Sequence, residues 1–256
     1  MSTVLLEKHD GYAIVTLNRP QSMNALSREL RRDFVAAFTA CTEDPDIRVV
    51  ILTGNGKAFC AGFDLKELGS SAADNSAEEA DNIVARAMAA FDGPIIGAIN
   101  GHCITGGFEM ALACDILIAS ESARFADTHA RVGMLPGWGL SQKLPRLIGL
   151  SRAREIAFTG APVFAQQAYE WGLVNHVVAD ADLLPRAAKM AQDICCCVPA
   201  VLSEYQVLIK DGYSMSLEKA LLWEENRAIQ WAKQASASAI EERRQGVLAK
   251  GRSERD

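Results

Sequence analysis

The chain is short of nearly every feature that marks the commoner special classes of protein. No run approaches the about 18 apolar residues needed to span a membrane, so no membrane association is expected. No Lys/Arg-rich stretch stands out, and the formal net charge is −6. Nucleic acid is therefore not expected as a partner, and an anionic ligand would have to be caught by local groups such as helix N-termini. Seven cysteines include no C-x-x-C pair, and the four histidines (His9, His102, His129, His176) show no H-x-x-x-H spacing. No metal site or disulfide framework is expected; buried thiols in a reducing compartment are. The first twenty residues carry Glu7, Lys8 and Asp10 where a secretory leader would need an apolar stretch, so a cytoplasmic protein is expected. The motifs G-x-S-x-G and G-x-G-x-x-G are missing, which removes support for a serine hydrolase or a dinucleotide fold.

What is present is a good core-forming composition. The chain has 256 residues, of which 49% are hydrophobic, and a mean hydropathy of +0.04. That suits one large α/β unit with a helical appendage. "VLLEKH" and "YAIVTLN" predict two strands joined at Asp10–Gly11. Ser27 caps an amphipathic helix through about Cys41, with Leu30, Phe34, Ala37 and Phe38 on one face. "VVILTG", "PIIGAIN" and "DILIAS" predict buried strands. Residues 69–82 are small, polar and acidic, and read as a loop leading into a helix that ends near Phe91. From Ser141 onward helical patterns dominate, over 141–148, 151–159, 165–171, 182–196, 199–211, 216–234 and 237–250. No Pro/Gly/Ser linker divides the chain. A core domain over 1–195 and a helical region over 196–256 are expected, the latter suited to burying apolar faces in an oligomer.

Two segments share one design: a strand, a turn of small residues, then a helix start. They are "KAFCAGFDLKEL" (57–68) and "GHCITGGFEMALACD" (101–115). Glycine lets backbone approach a ligand, and a helix start leaves N–H groups unpaired. Two such groups aimed at one point would form an oxyanion hole. Inside the second segment Glu109 sits among Phe108, Met110, Ala111 and Leu112. A carboxylate there is either satisfied by its neighbours or held for chemistry.

The blocks "LNRPQSMNAL", "VVILTGNGKAFCAGFDL", "AINGHCITGGFEMALACDILIAS", "ARFADTHARVGMLPGWGLSQKLPRLIG" and "FTGAPVFAQQAYEWGLVNHVV" follow one another along the chain. Together they resemble the crotonase (enoyl-CoA hydratase/isomerase) superfamily, most of all the enoyl-CoA hydratases. The resemblance implies an α/β spiral of ββα repeats with C-terminal helices that build homotrimers, or dimers of trimers. It implies an acyl-CoA thioester as substrate, with coenzyme A part of that substrate and no separate cofactor. The thioester oxygen would lie between the backbone N–H groups of Phe63 and Gly106, beside Gly107. Ser22, Met23, Ala25, Ala61, Asp64 and Leu65 would follow the CoA path, and Gly137 and Trp138 would wall the pocket. Asp115 would be structural.

Glu109 matches the first of two catalytic glutamates of the hydratases. His129 stands where they carry the second. A histidine there can act as acid or base near neutral pH, shape the pocket, or bond a carbonyl. Asp127 and Arg131 flank it at i−2 and i+2; Asp127 would orient it or form an exposed salt bridge. The expected reaction is addition of water to a 2-enoyl-CoA. Isomerisation, C–C cleavage or thioester hydrolysis are the alternatives, as is an acyl-CoA-binding protein without hydratase activity.

Overall fold

The structure, a computed structural model, describes residues 2–70 and 82–234 together with Ser236, Arg243 and Arg244. The acidic segment 71–81 and most of the expected 237–250 helix lie outside the described residues.

The first unit, Met1–Pro199, winds through strand β1 (Val4–Lys8), β2 (Tyr12–Leu17), helix α1 (Arg28–Thr42), β3 (Val49–Gly54), β4 (Ala58–Cys60), α2 (Leu65–Ser70) and α3 (Ile83–Ala90). It continues through β5 (Ile95–Ile99), β6 (His102–Ile104), α4 (Gly106–Ala111), β7 (Ile116–Ser120), β8 (Arg124–Ala126) and α5 (His129–Val132). Then come α6 (Leu140–Ile148), α7 (Leu150–Thr159), β9 (Val163–Phe164), α8 (Ala165–Glu170), β10 (His176–Val178) and α9 (Leu183–Cys195). Two sheets result, one in the order β1-β2-β3-β5-β7-β10 and one in the order β4-β6-β8-β9. In the pairs β3–β4, β5–β6 and β7–β8, the first strand joins the larger sheet and the second joins the smaller. Each repeat thus advances the chain by one place in both sheets, which is the spiral of ββα units. The pairings β3–β5–β7 and β4–β6–β8 are parallel.

The apolar runs explain the larger sheet. β3 and β5 are buried along their whole length, as parallel strands covered on both faces must be. Side chains alternate between faces: Val50 and Leu52 join the main core with Leu30, Phe34 and Phe38 of α1. Val49 and Ile51 face the other way, with Ile96, Ile118 and Leu183, Ala187 and Ala191 of α9. The Ser27 hydroxyl caps α1 by accepting from the Leu30 N–H at 3.2 Å. The second unit, from Ala200, holds helices α10 (Pro199–Gly212) and α11 (Leu217–Ala232). They are tied by an ion pair between Arg227 and Glu204. No helix among the described residues is long and apolar enough to cross a membrane.

Asn24 anchors the turn before α1. It is fully buried and left-handed, at φ 54°. Its side chain accepts from the Arg19 N–H at 2.8 Å and donates to the carbonyls of Asn55 (3.0 Å) and Ala58 (2.7 Å). Asn24→Ala strands those groups and leaves a β-carbon in a strained backbone. The expected cost is roughly 2–3 kcal/mol, read as a lower urea midpoint at unchanged m-value.

The thiols are mixed. Burial pushes Cys41 up to about 11 and Cys60 up to about 12. Cys196 and Cys197, expected to be buried, are exposed, because they follow the last turn of α9 rather than facing the sheet.

Candidate active site

The smaller sheet assembles the site. Its three parallel strands β4, β6 and β8 end side by side, and a different chemistry-bearing turn follows each. Phe63 follows β4, Gly106 and Glu109 follow β6, and Asp127 and His129 follow β8. A methyl group on Gly107 would fall 2.1 Å from the Cys60 carbonyl oxygen. One on Gly62 would fall 3.1 Å from the Gly106 nitrogen. Only glycine permits this approach of the two turns.

The peptide geometry settles where two N–H groups go. Leu26 donates to the Gly62 carbonyl at 2.7 Å. In a trans peptide the following N–H, that of Phe63, points away from Leu26. The Thr105 carbonyl accepts from the Glu109 N–H at 3.0 Å inside the helix start, so the Gly106 N–H points out of the helix. Thr105 itself holds φ 53° and ψ −109°, a costly conformation for a non-glycine residue. Its N–H donates to the Ala126 carbonyl at 2.9 Å. Its hydroxyl lies 2.6 Å from that of Thr128 and accepts from the Thr128 N–H at 3.2 Å. Thr105 and Thr128 thereby lock the Gly106 turn to the His129 turn; nothing local in the sequence marks them beyond being hydroxyl residues beside two turns.

Glu109 is 2% exposed. Its Oε1 accepts the Trp138 N–H at 2.6 Å and the Leu140 N–H at 3.4 Å, at the start of α6. Burial raises its pKa above the usual carboxylate value, opposed by the Trp138 N–H and by His129. Its Oε2 lies 3.6 Å from His129 Nε2, too far for a direct hydrogen bond. On the other side of the ring, Asp127 Oδ1 is 2.7 Å from Nδ1 and accepts the backbone N–H of His129 at 3.0 Å. The exposed salt bridge considered for Asp127 is therefore corrected. The residue is 3% exposed and bonded to His129, because a helical turn starting at His129 folds the ring back over the preceding loop. Arg131 instead donates to the Thr159 carbonyl. Asp127 and His129 line a mostly apolar cavity of about 400 Å³ together with Met134, Leu135, Leu144 and Ala153, and with Ser141 and Arg154 as its other polar residues.

Several of the remaining residues singled out in the sequence gather around the Arg19–Asp64 turn and the Phe63 ring. The Ala61 N–H donates to the Met23 carbonyl at 3.0 Å. Arg19 donates to the Ala25 carbonyl at 3.1 Å and to Asp64 at 2.8 Å. The Arg19 guanidinium holds the Asp64 carboxyl below its ordinary pKa, so Asp64 is committed to this turn. Ser22 closes the short turn Pro20–Ser22, and Met23 and Leu65 are exposed. Trp138 packs edge-on against Phe63 with ring centroids 5.4 Å apart, and the Arg31 guanidinium lies 5.3 Å from the Phe63 ring. Gly137, which precedes that tryptophan, is exposed. Asp115 is structural: it accepts the Ile95 N–H at 2.7 Å.

Residues 7–249 match the pattern of the family described as enoyl-CoA hydratase/isomerase. The chain is 45% identical over 219 residues to a probable peroxisomal enoyl-CoA hydratase 1 of Arabidopsis thaliana, covering 85% of this chain and 82% of that protein. It is 31% identical over 255 residues to a crotonyl-CoA hydratase of Syntrophomonas wolfei, covering 96% and 98%. Among solved structures, an enoyl-CoA hydratase from Bacillus anthracis superposes with a TM-score of 0.86 at 34% identity, covering 98% of this chain and 96% of that one.

Proposed function

Given that the chain belongs to the enoyl-CoA hydratase/isomerase family, we propose that it adds water across the double bond of a 2-enoyl-CoA thioester, an activity of the lyase class. The observation that carries this reading is the facing pair of Glu109 and His129 beside two outward N–H groups. The thioester oxygen binds the N–H groups of Phe63 and Gly106, and the CoA portion follows Ser22, Met23, Ala25, Ala61, Asp64 and Leu65 past Gly107. Gly137 and Trp138 wall the reacting end.

Ionised Glu109 removes a proton from water as the oxygen attacks the β-carbon. The π electrons move onto the thioester oxygen, where each preorganised donor is worth roughly 3 kcal/mol. The α-carbon then takes a proton from Nε2 of protonated His129. Passage of the Glu109 proton back to His129 restores the starting state, and one water has been added with no cofactor consumed. His129 thereby performs the work of a second glutamate.

The test is conversion of crotonyl-CoA to 3-hydroxybutanoyl-CoA by the purified protein and by His129→Ala. Turnover is expected in the wild type, and a fall of about 10²–10⁴-fold in the variant. Isomerised product or free CoA would favour another reaction on the same thioester. Binding of acyl-CoA without turnover across a panel of chain lengths would leave a binding protein. We also propose a cytoplasmic homotrimer or dimer of trimers built by the helical region 196–256. In its support, Tyr205, Ile209, Leu221, Leu222 and Trp231 are exposed on its two helices. Sedimentation of the full chain as a monomer would contradict the assembly.

A further inference from the structure

We propose that Asp127 is a positioning residue that makes His129 the proton donor of this site. The inference rests on the hydration reading above and assigns a residue that reading does not use. A buried carboxylate is costly unless its charge is met by donors. Here one oxygen, Oδ1, takes both the ring Nδ1 and the backbone N–H of a single residue, at 2.7 and 3.0 Å. A carboxylate only accepts, so Nδ1 carries a proton. Nε2 is then the nitrogen that gains and loses a proton, and it is the one 3.6 Å from Glu109. Asp127 thereby fixes which ring nitrogen is turned toward Glu109 and the reacting end.

The dyad cannot swing freely. Thr128, between its two members, is held by Thr105, and Thr105 stands immediately before Gly106. The proton donor and one oxyanion donor are therefore placed by the same lock. Among the described residues, Glu109 from α4 lies 3.6 Å from the ring and Arg154 from α7 lines the same cavity as His129. Arg131, on the same turn, is engaged by the Thr159 carbonyl. A simple cap for the short α5 turn would need only the bond from Asp127 to the backbone N–H; the shorter bond to the ring goes beyond that role.

Asp127→Asn keeps an oxygen acceptor at Oδ1 and removes the charge. It is expected to lower kcat for crotonyl-CoA by about 10²-fold with KM within about threefold. In a His129→Ala background the same change is expected to cost nothing further, since Asp127 acts through the ring. Nitrogen NMR of labelled histidine in the wild type reads the dyad without activity. A proton is expected on Nδ1 and none on Nε2 at alkaline pH, and a proton on Nε2 there would overturn the proposal. An unchanged kcat in Asp127→Asn, with His129→Ala impaired, would overturn the role of Asp127 and leave the hydration reading standing. An equal loss in both backgrounds would reduce Asp127 to a structural cap. Full activity in His129→Ala would overturn both.

Discussion

Glu109→Gln is expected to lower kcat for crotonyl-CoA hydration by about 10²–10⁴-fold while the protein stays folded. Glutamine has the same shape, and its Oε1 can still accept the Trp138 N–H that meets Glu109 at 2.6 Å. What it cannot do is take a proton from water. The wild-type pH profile should show an acidic limb above the ordinary carboxylate range, because burial raises the Glu109 pKa and the proposed reaction uses the ionised form. The same shift has a consequence for stability with the opposite sense. A carboxyl whose folded pKa lies above its unfolded value of about 4.3 binds its proton more tightly when folded. Wild-type stability therefore falls, relative to Glu109→Gln, as pH rises from the unfolded value through the folded one. Urea unfolding across this range should show the variant gaining on the wild type with rising pH and then levelling off. A wild type that gains on the variant as pH rises would contradict the burial argument.

The second large effect is expected from Gly107→Ala. An added methyl would lie 2.1 Å from the Cys60 carbonyl oxygen and 2.8 Å from the Cys60 carbonyl carbon. These are backbone atoms and have no rotamer to change, so the end of β4 and the start of α4 must separate. Those two segments carry the Phe63 and Gly106 N–H groups. Loss of one well-placed oxyanion donor alone costs about 10²–10³ in kcat. Overpacking should add about 1–3 kcal/mol of destabilisation. Gly106→Ala is the informative contrast, because its methyl would meet nothing nearer than 3.4 Å. It should fold with wild-type stability, measured by the same urea series. Equal stability losses in both variants would remove the steric account.

The parts of this protein that can be read from its sequence are those fixed locally. Ser27 and the spacing of Leu30, Phe34 and Phe38 define α1 because a cap and a 3.6-residue period are short-range properties. The continuous apolar run of β3 announces a strand covered on both faces. The two strand–turn–helix segments were recognisable singly, and the family resemblance named Phe63, Gly106 and Glu109 within them. Their convergence, however, depends on β4 pairing with β6 in parallel, across some forty residues of chain, and no local pattern encodes that. Asp127 shows the same limit. Its i−2 spacing from His129 fits a strand, a loop or a turn equally well. Only the start of a helical turn at His129, beneath the left-handed Thr105, buries the carboxylate against the ring. The β10 strand (His176–Val178) likewise acquires its place only by pairing with β7.

The most direct test of the central claim is product analysis after incubating crotonyl-CoA with the protein in ¹⁸O-labelled water. The Glu109–His129 arrangement predicts 3-hydroxybutanoyl-CoA carrying the label on its β-carbon, formed by the wild type and formed about 10²–10⁴-fold more slowly by Glu109→Gln. Unchanged crotonyl-CoA, or label appearing in a released carboxylate with free CoA, would contradict it.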